Sequence, residues 1–379
     1  MAKPKDPFRR EPEVNLFGEI VEPKNGKRPA LQDKFLVPPF SVLDARQGYW
    51  QERKRQWIDL GIEGELGREK NQLGFSEVCN TNGGYHTFNQ KTIQEFNTRT
   101  RAPRSPGAVL PPEASRQKRS SLLNKGEGYE WGEAYEGGNA WAGAGSSVFD
   151  PVLAEVVYRW FAPAGGKILD PFAGDSTKGL VAECLGYRYT GIELRPEQCE
   201  ANELQAAKLG VAPHWICGDS SQLLELLPQA REGYEEYDLI FTSPPYYDLE
   251  IYSEAEKDGS AFETYERFMA WYKEIFRQCV KHLRWNRFLV VKVGEIRDAD
   301  GWYRNFLGDN ISCFLDLKLR YYNEAVLVTS VGSLPLRIGK QFAGYRKLGK
   351  THQNLLVFYK GRNPEQIEEK FGREFGGGA

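Results

Sequence analysis

The chain has 379 residues, enough for two domains or for one large domain with a long extension. Apolar residues make up 40% and charged residues 27%, and no uninterrupted apolar run approaches membrane-spanning length, so a membrane span is ruled out and no membrane partner is expected. The formal net charge of −2 conceals a division: residues 1–125 hold 22 Lys+Arg against 15 Asp+Glu, and the remainder 28 against 37.

A basic flank on an acidic body is the pattern of a polyanion-binding attachment, or else of a solvated tail. The polar opening, Met1 to Asp6, has no secretory apolar stretch. Cys79, Cys184, Cys199, Cys217, Cys279 and Cys313 are scattered with no C-x-x-C pair, and the four histidines do not cluster. Neither a metal site nor a disulfide framework is therefore expected, and a reduced, cytoplasmic location goes with that reading.

In chain order, residues 1–33 read as a mobile arm and residues 34–145 as a basic, loop-rich extension. Within the extension, residues 35–57 mix aromatics with the run Arg53-Lys54-Arg55 on a short helix after Gly48. Residues 80–145 are full of Gly, Asn, Pro, Ser and Arg with little periodicity, either a functional surface or a connector. Residues 146–362 alternate between strands and helices. Helices are expected over Pro151–Phe161, from the turn after Asp170 to Leu185, over Pro196–Leu209 and Leu223–Leu227, and over Phe262–Leu283. Short apolar strands are expected at Lys167–Asp170, Tyr189–Leu194, His214–Cys217, Tyr237–Thr242, Phe288–Val293, Tyr321–Thr329 and Asn354–Tyr359. This is the pattern of an α/β fold with a doubly wound, mostly parallel sheet, which binds ligands at the carboxyl ends of its strands. Residues 363–379 read as a flexible tail.

Three acids fall at those ends. Asp170 closes the first of these strands, ahead of a tight turn containing Gly174, and suits a ligand ammonium; the turn is not a phosphate cradle, since it lacks G-x-G-x-x-G and a P-loop lysine. Glu193 is placed for ribose hydroxyls, and Asp219 for an adenine amine. Singly, each is as well read as a cap or turn former, Asp219 before Ser220 and Ser221 especially. After the fourth strand comes Thr242-Ser243-Pro244-Pro245-Tyr246-Tyr247. Two prolines make a rigid bend, a hydroxyl and a carbonyl offer two acceptors, and an aromatic follows for stacking. Such a set suits a flipped nucleobase held by its exocyclic amine.

Asp170-Pro171-Phe172-Ala173-Gly174 followed by Thr242-Ser243-Pro244-Pro245-Tyr246 strongly resembles the amino-methylating DNA methyltransferases, which make N4-methylcytosine or N6-methyladenine. The resemblance implies a Rossmann-like S-adenosylmethionine-dependent fold over residues 146–362, with an antiparallel last strand, His352 to Lys360. It implies S-adenosyl-L-methionine as cofactor, with Ser147, Phe149, Asp170, Phe172, Gly174 and Thr177 toward its methionine end, Glu193 on the ribose, and Asp219 and Ser220 toward the adenine. It makes Ser243, Pro244, Pro245 and Tyr246 the catalytic motif. One departure is the turn, Phe172-Ala173-Gly174-Asp175-Ser176-Thr177, where the family commonly has a second glycine. The other is the extension, whose residues 35–75 match no standard part of the core and look like those of phage and prophage methylases.

The serine in the catalytic motif is commoner for cytosine, so N4-cytosine is the expected product and N6-adenine the alternative. No cysteine follows a proline, as a 5-methylcytosine enzyme would need. Double-stranded DNA is the expected partner. It would be met by the basic loop between the last two strands, free of acids from Glu324 to Glu365 and carrying Arg337, Lys340, Arg346, Lys347 and Lys350. Arg53, Lys54, Arg55, Arg116, Lys118 and Arg119 are a second choice, and Lys292 and Glu295 border the crevice. Tyr49, Trp50 and Trp57 read rather as anchors of the extension than as base-stacking wedges. A cognate restriction endonuclease would suit a restriction–modification role. The rival readings are an RNA or protein-glutamine methyltransferase, a non-catalytic DNA-binding scaffold, and an endonuclease fused in the N-terminal part.

Overall fold

The computed structural model describes residues 31, 35–62, 149–227, 237–247, 262, 264–298, 300–331 and 334–367. The described chain opens with a short strand, β1 (Val42–Asp44), and a helix, α1 (Gly48–Asp59). The alternating part then runs α2 (Pro151–Phe161), β2 (Lys167–Asp170), α3 (Thr177–Cys184), β3 (Arg188–Glu193), α4 (Pro196–Leu209), β4 (His214–Cys217) and α5 (Leu223–Leu226). It continues with β5 (Tyr237–Thr242), α6 (Tyr265–His282), β6 (Leu283–Val293), α7 (Phe306–Asp316), β7 (Arg320–Val328), α8 (Leu334–Tyr345) and β8 (His352–Lys360). No helix among the described residues is long and apolar enough to cross a membrane.

The strands form one sheet in the order β1-β7-β8-β6-β5-β2-β3-β4. Every neighbouring pair is parallel except the two made by β8, which lies antiparallel between β6 and β7. The expected doubly wound sheet with an antiparallel last strand is thus the observed one. β2 and β5, which carry the two motifs, are adjacent in the middle, with Leu169 level with Ile240. Every residue of β5 is buried, as a strand covered on both faces requires.

Local sequence accounts for the elements. Asp150 caps α2, its carboxylate accepting from the Val152 and Leu153 N–H groups at 2.9 and 3.4 Å, and Pro151 follows in the first turn. α4 stops at Gly210, whose φ of 66° is the left-handed cap glycine tolerates. β6 starts at Leu283, directly from α6 and ahead of the expected Phe288, because Leu283 already pairs with Tyr237 across an irregularity.

Two helices were not expected. The segment read as a basic loop around Arg337–Lys350 is helical over Leu334–Tyr345, with Leu334 and Gln341 buried, and is a loop only beyond that. Gly339 and Gly344 lower its intrinsic propensity, but the buried side supplies what propensity does not. α7 likewise carries Gly308 yet buries Phe306, Asn310, Cys313 and Phe314.

The extension joins the same core. β1 adds to the edge of the sheet, Val42 opposite Val326 and Leu43 opposite Leu327. Trp50 and Trp57 are fully buried, each removing about 150–250 Å² from water, worth about 4–6 kcal/mol at about 25 cal/mol per Å². Buried Glu155 of α2 accepts from Trp57 Nε1 at 2.8 Å, Arg53 Nε at 2.7 Å and Arg159 Nε at 2.8 Å. Asp150 Oδ2 takes Trp50 Nε1 at 3.3 Å and Lys54 Nζ at 3.2 Å. Arg53 and Lys54, second-choice DNA contacts by sequence, therefore hold the extension to the body, and Arg55 alone of that run is exposed. Arg116, Lys118 and Arg119 lie outside the described residues.

Candidate active site

The carboxyl ends of β2, β3, β4 and β5 bring the motifs together. Asp170, at the end of β2, is fully buried and its carboxylate is met from within the chain. Lys178 Nζ lies 2.6 Å from Oδ2, Tyr189 OH donates to the same oxygen at 2.7 Å, and the Phe172 N–H donates to Oδ1 at 3.1 Å. Burial, with Asp170 beside it, pushes the Tyr189 phenol far up, so Tyr189 stays a neutral donor. Where the sequence reading sets a ligand ammonium, the structure sets the Lys178 ammonium, which also donates to Phe172 O at 3.0 Å.

Gly174 has φ +60° and nothing within 4 Å of where a Cβ would stand, so its backbone faces open space at the strand ends. Its N–H donates to Glu193 Oε2 at 3.0 Å and its carbonyl accepts from Asn202 Nδ2 at 2.9 Å. The other Glu193 oxygen accepts the Arg195 N–H at 3.0 Å. Asp175 and Ser176, the departures from the family turn, serve it internally. Asp175 accepts from the Phe149 and Thr177 N–H groups, at 3.0 and 2.8 Å. Ser176 sits at φ −66° and ψ −18°, a right-handed conformation that needs no glycine, and its hydroxyl donates to Gln205 Oε1 at 2.7 Å.

On the next strand, Asp219 caps the turn after β4 by accepting the Ser221 N–H at 2.9 Å. The buried Ser220 hydroxyl donates to Pro171 O, tying the β4 end to the β2 turn. Phe149 meets Phe241 of β5 edge to face at 5.7 Å, and Lys178 Nζ and Lys292 Nζ stand 5.2 and 4.7 Å from its ring centre. Ser147 lies outside the described residues.

Ser243 and Pro245 are partly exposed, and Pro244 is buried. Tyr246 is 4% exposed, its ring 5.9 Å from Phe306. Tyr247 has φ 45°, a left-handed conformation that costs a non-glycine residue about 1–3 kcal/mol. Arg304 offsets part of that, its guanidinium 5.1 Å from the Tyr247 ring and 5.3 Å from that of Tyr265. Tyr265 OH donates to Asp309 Oδ2 at 2.7 Å, and burial together with Asp309 holds that phenol well up.

Of the basic residues after β7, Lys340 is exposed on α8, on whose backbone Arg337 also lies. Arg346 turns back to the Phe342 and Ala343 carbonyls at 3.0 and 3.1 Å, and Lys350 Nζ donates to Glu295 O at 3.4 Å. Lys347 Nζ lies 5.6 Å from the Tyr345 ring centre. Glu295 accepts the Phe306 N–H at 2.6 Å and so fixes the start of α7. Sequence reasoning missed Lys178, Tyr189 and Arg304. Lys178 had a signal, a lysine directly after Thr177 in an apolar helix start, where burial requires an anionic partner.

The residues present fit an amino-acid-plus-nucleoside ligand laid across these ends. Besides the open face of Gly174, the buried Oγ1 atoms of Thr177 and Thr242 have no hydrogen-bond partner among the described residues.

A family model described as DNA methylase (N6_N4_Mtase) matches residues 49–204 and 237–374. No curated protein matches the chain. Among solved structures, TrmN from Thermus thermophilus is 16% identical with a TM-score of 0.36, over 56% of this chain and 49% of that one, so the match spans about half of TrmN. A methyltransferase from Pyrococcus furiosus is 14% identical with a TM-score of 0.39, over 65% of this chain and 99% of that one. A TehB-like SAM-dependent methyltransferase from Corynebacterium glutamicum is 17% identical with a TM-score of 0.34, over 65% and 96%. These likenesses are shallow, whereas the family match takes in both motif-bearing strands and the extension from inside α1. The chain belongs to the N6/N4 DNA methylase family and uses S-adenosyl-L-methionine as its cofactor.

Proposed function

We propose that this chain methylates the exocyclic amine of a base flipped out of double-stranded DNA, at cytosine N4. The observation that most supports this reading is the pairing of β2 with β5, which makes the two strands that lead into these motifs neighbours in the sheet. S-adenosyl-L-methionine supplies a methyl group on a positively charged sulfur. The cofactor would lie with its methionine end along Phe149, Phe172, Gly174 and Thr177, and its nucleoside toward Glu193, Asp219 and Ser220. Asp170 would stand at the same methionine end, held in place by Lys178 and Tyr189.

An exocyclic amine is a poor nucleophile because its lone pair is delocalised into the ring. The Ser243 hydroxyl oxygen and the Pro244 carbonyl would accept hydrogen bonds from its two N–H groups, favour a pyramidal nitrogen and aim the lone pair at the methyl group, so that the N–C bond would form as the S–C bond breaks and one N–H proton would then pass to solvent. Pro245 holds the bend, and the Tyr246 ring would pack against the base and ease the positive charge that develops. Lys340 and Lys347, with Arg337, Arg346 and Lys350 on the same connection, would meet DNA phosphates; these contacts place the duplex without reading its sequence.

The test is nucleoside mass spectrometry on DNA from a methylation-deficient host expressing the chain, beside a Ser243→Ala, Pro244→Ala double variant. N4-methylcytosine that vanishes in the variant supports the proposal. N6-methyladenine keeps the mechanism and replaces the base. Neither mark, with good expression, favours an RNA substrate or a silent scaffold.

A further inference from the structure

Immediately beyond β6 the chain makes a tight hairpin that the catalytic motif does not use. Arg297 and Tyr303 pair antiparallel, the Asp298 N–H donates to Trp302 O at 2.8 Å, and the Trp302 N–H donates back to Asp298 Oδ1 at 2.8 Å. Arg297 closes the turn from the side, with Nη1 2.7 Å from Gly301 O and its guanidinium 3.9 Å from the centre of the Tyr303 ring. These contacts brace Trp302 from the described residues on either side of it, yet Trp302 is 73% exposed. A large planar ring thus stands on a braced turn with most of its area open among the described residues.

The hairpin's position gives it a partner. It leaves the carboxyl end of β6, next to the strand that carries the catalytic motif. The residues that follow it grip that motif: Arg304 stands over Tyr247, and Phe306 packs on Tyr246. On its other flank Lys350 donates to Glu295 O, joining the hairpin's root to the basic connection after β7.

We infer that Trp302 is a base-stacking contact to the DNA substrate, set beside the place where the target base is presented. This rests on the proposed DNA-methylating function. The hairpin itself carries Asp298 and Asp300, so phosphate attraction is not its contribution. An indole face stacks on any nucleobase, and a bracing hairpin loses little freedom when it does so. Phosphate neutralisation is then left to the lysines of the neighbouring connection, and the two elements contribute separately to binding.

The test uses the full chain and a fluorescein-labelled mixed-sequence duplex, with affinity read by anisotropy over a salt series and cofactor affinity read by calorimetry. Trp302→Ala is expected to bind DNA about 5- to 100-fold more weakly at every salt concentration, with an unchanged salt slope and unchanged S-adenosyl-L-methionine affinity. Trp302→Phe should recover most of the loss, and Lys340→Ala should instead make the salt slope shallower by about one. Equal binding by wild type and Trp302→Ala overturns the inference and leaves the proposed function standing. A loss that Trp302→Phe does not recover, or one accompanied by lost cofactor affinity, overturns stacking in favour of a structural role. A wild-type chain that binds no duplex overturns the proposed function and this inference together.

Discussion

Asp175 Oδ2 accepts the Phe149 N–H at 3.0 Å while Asp175 Oδ1 accepts the Thr177 N–H at 2.8 Å. One buried carboxylate thereby joins the segment ahead of α2 to the glycine turn after β2. Replacing Asp175 with Ala leaves two buried N–H groups unmet, at about 1–3 kcal/mol each. Urea denaturation should show a loss of about 2–5 kcal/mol. Calorimetry should show weaker S-adenosyl-L-methionine binding, because Phe149 and Thr177 are no longer held in register. Full cofactor affinity in the variant would mean that the turn keeps its shape without the clasp.

Glu155 offers a second test, of the extension. Its buried carboxylate serves Trp57, Arg53 and Arg159 at once. Glu155→Ala strands two guanidiniums and an indole N–H and should cost about 3–5 kcal/mol. Removing residues 1–62 should yield a chain that aggregates on expression, since it uncovers α2 and the β7 edge. A soluble truncated chain with a native circular dichroism spectrum would contradict that.

Acid lability should come in part from Asp238. Burial alone would raise its carboxyl, but the Lys167 N–H and the guanidiniums of Arg287 and Arg284 together outweigh burial and hold it below the ordinary range. A carboxyl lowered on folding contributes stability that is complete above the unfolded value, about 3.9, and is lost as pH falls through the folded one. The stability advantage of the wild type over Asp238→Asn should therefore narrow as pH is lowered below about 4, and stay constant from about 5 to 7. Denaturant titrations of both chains across that range check the sign.

At the proposed catalytic motif, Ser243→Ala removes one of two proposed acceptors and should lower methyl transfer by about 100-fold with little change in cofactor affinity. Arg304→Leu acts one step further out, by releasing Tyr247 and Tyr265. About a tenfold fall in turnover is expected, the size of a partly buried cation–π contact. A fall in cofactor affinity instead would move Arg304 from supporting the motif to supporting the fold.

Much of this was legible in the sequence where local pattern and tertiary demand coincide. α2 is found over Pro151–Phe161, as expected from the sequence, and β2, β4 and β5 match their expected spans. α7 and α8 were not legible, because glycines at 308, 339 and 344 weaken a periodicity that only packing completes. The acids were placed at the right strand ends, but their partners were not. Nothing local to Asp170 announces that Lys178 and Tyr189 will converge on it, since the two arrive from a helix and a neighbouring strand. For the same reason the run Arg53-Lys54 resembled a nucleic-acid patch until Glu155 and Asp150 were found opposite it.

The pairing of β1 with β7 also sets an order of events during synthesis. Trp57 and Glu155 are 98 residues apart, so α1 can dock on α2 while the ribosome is still making the sheet. Val42 must wait for Val326, which is made long after it. β7 in turn needs β8, which follows it in the chain, to link it to β6. The nascent chain therefore carries β1 without β7 until β7 has been made, and contacts this remote in sequence close slowly. A chain interrupted before β7 therefore leaves β1, with Leu43, lacking the strand it pairs with, an open edge to which another chain can add.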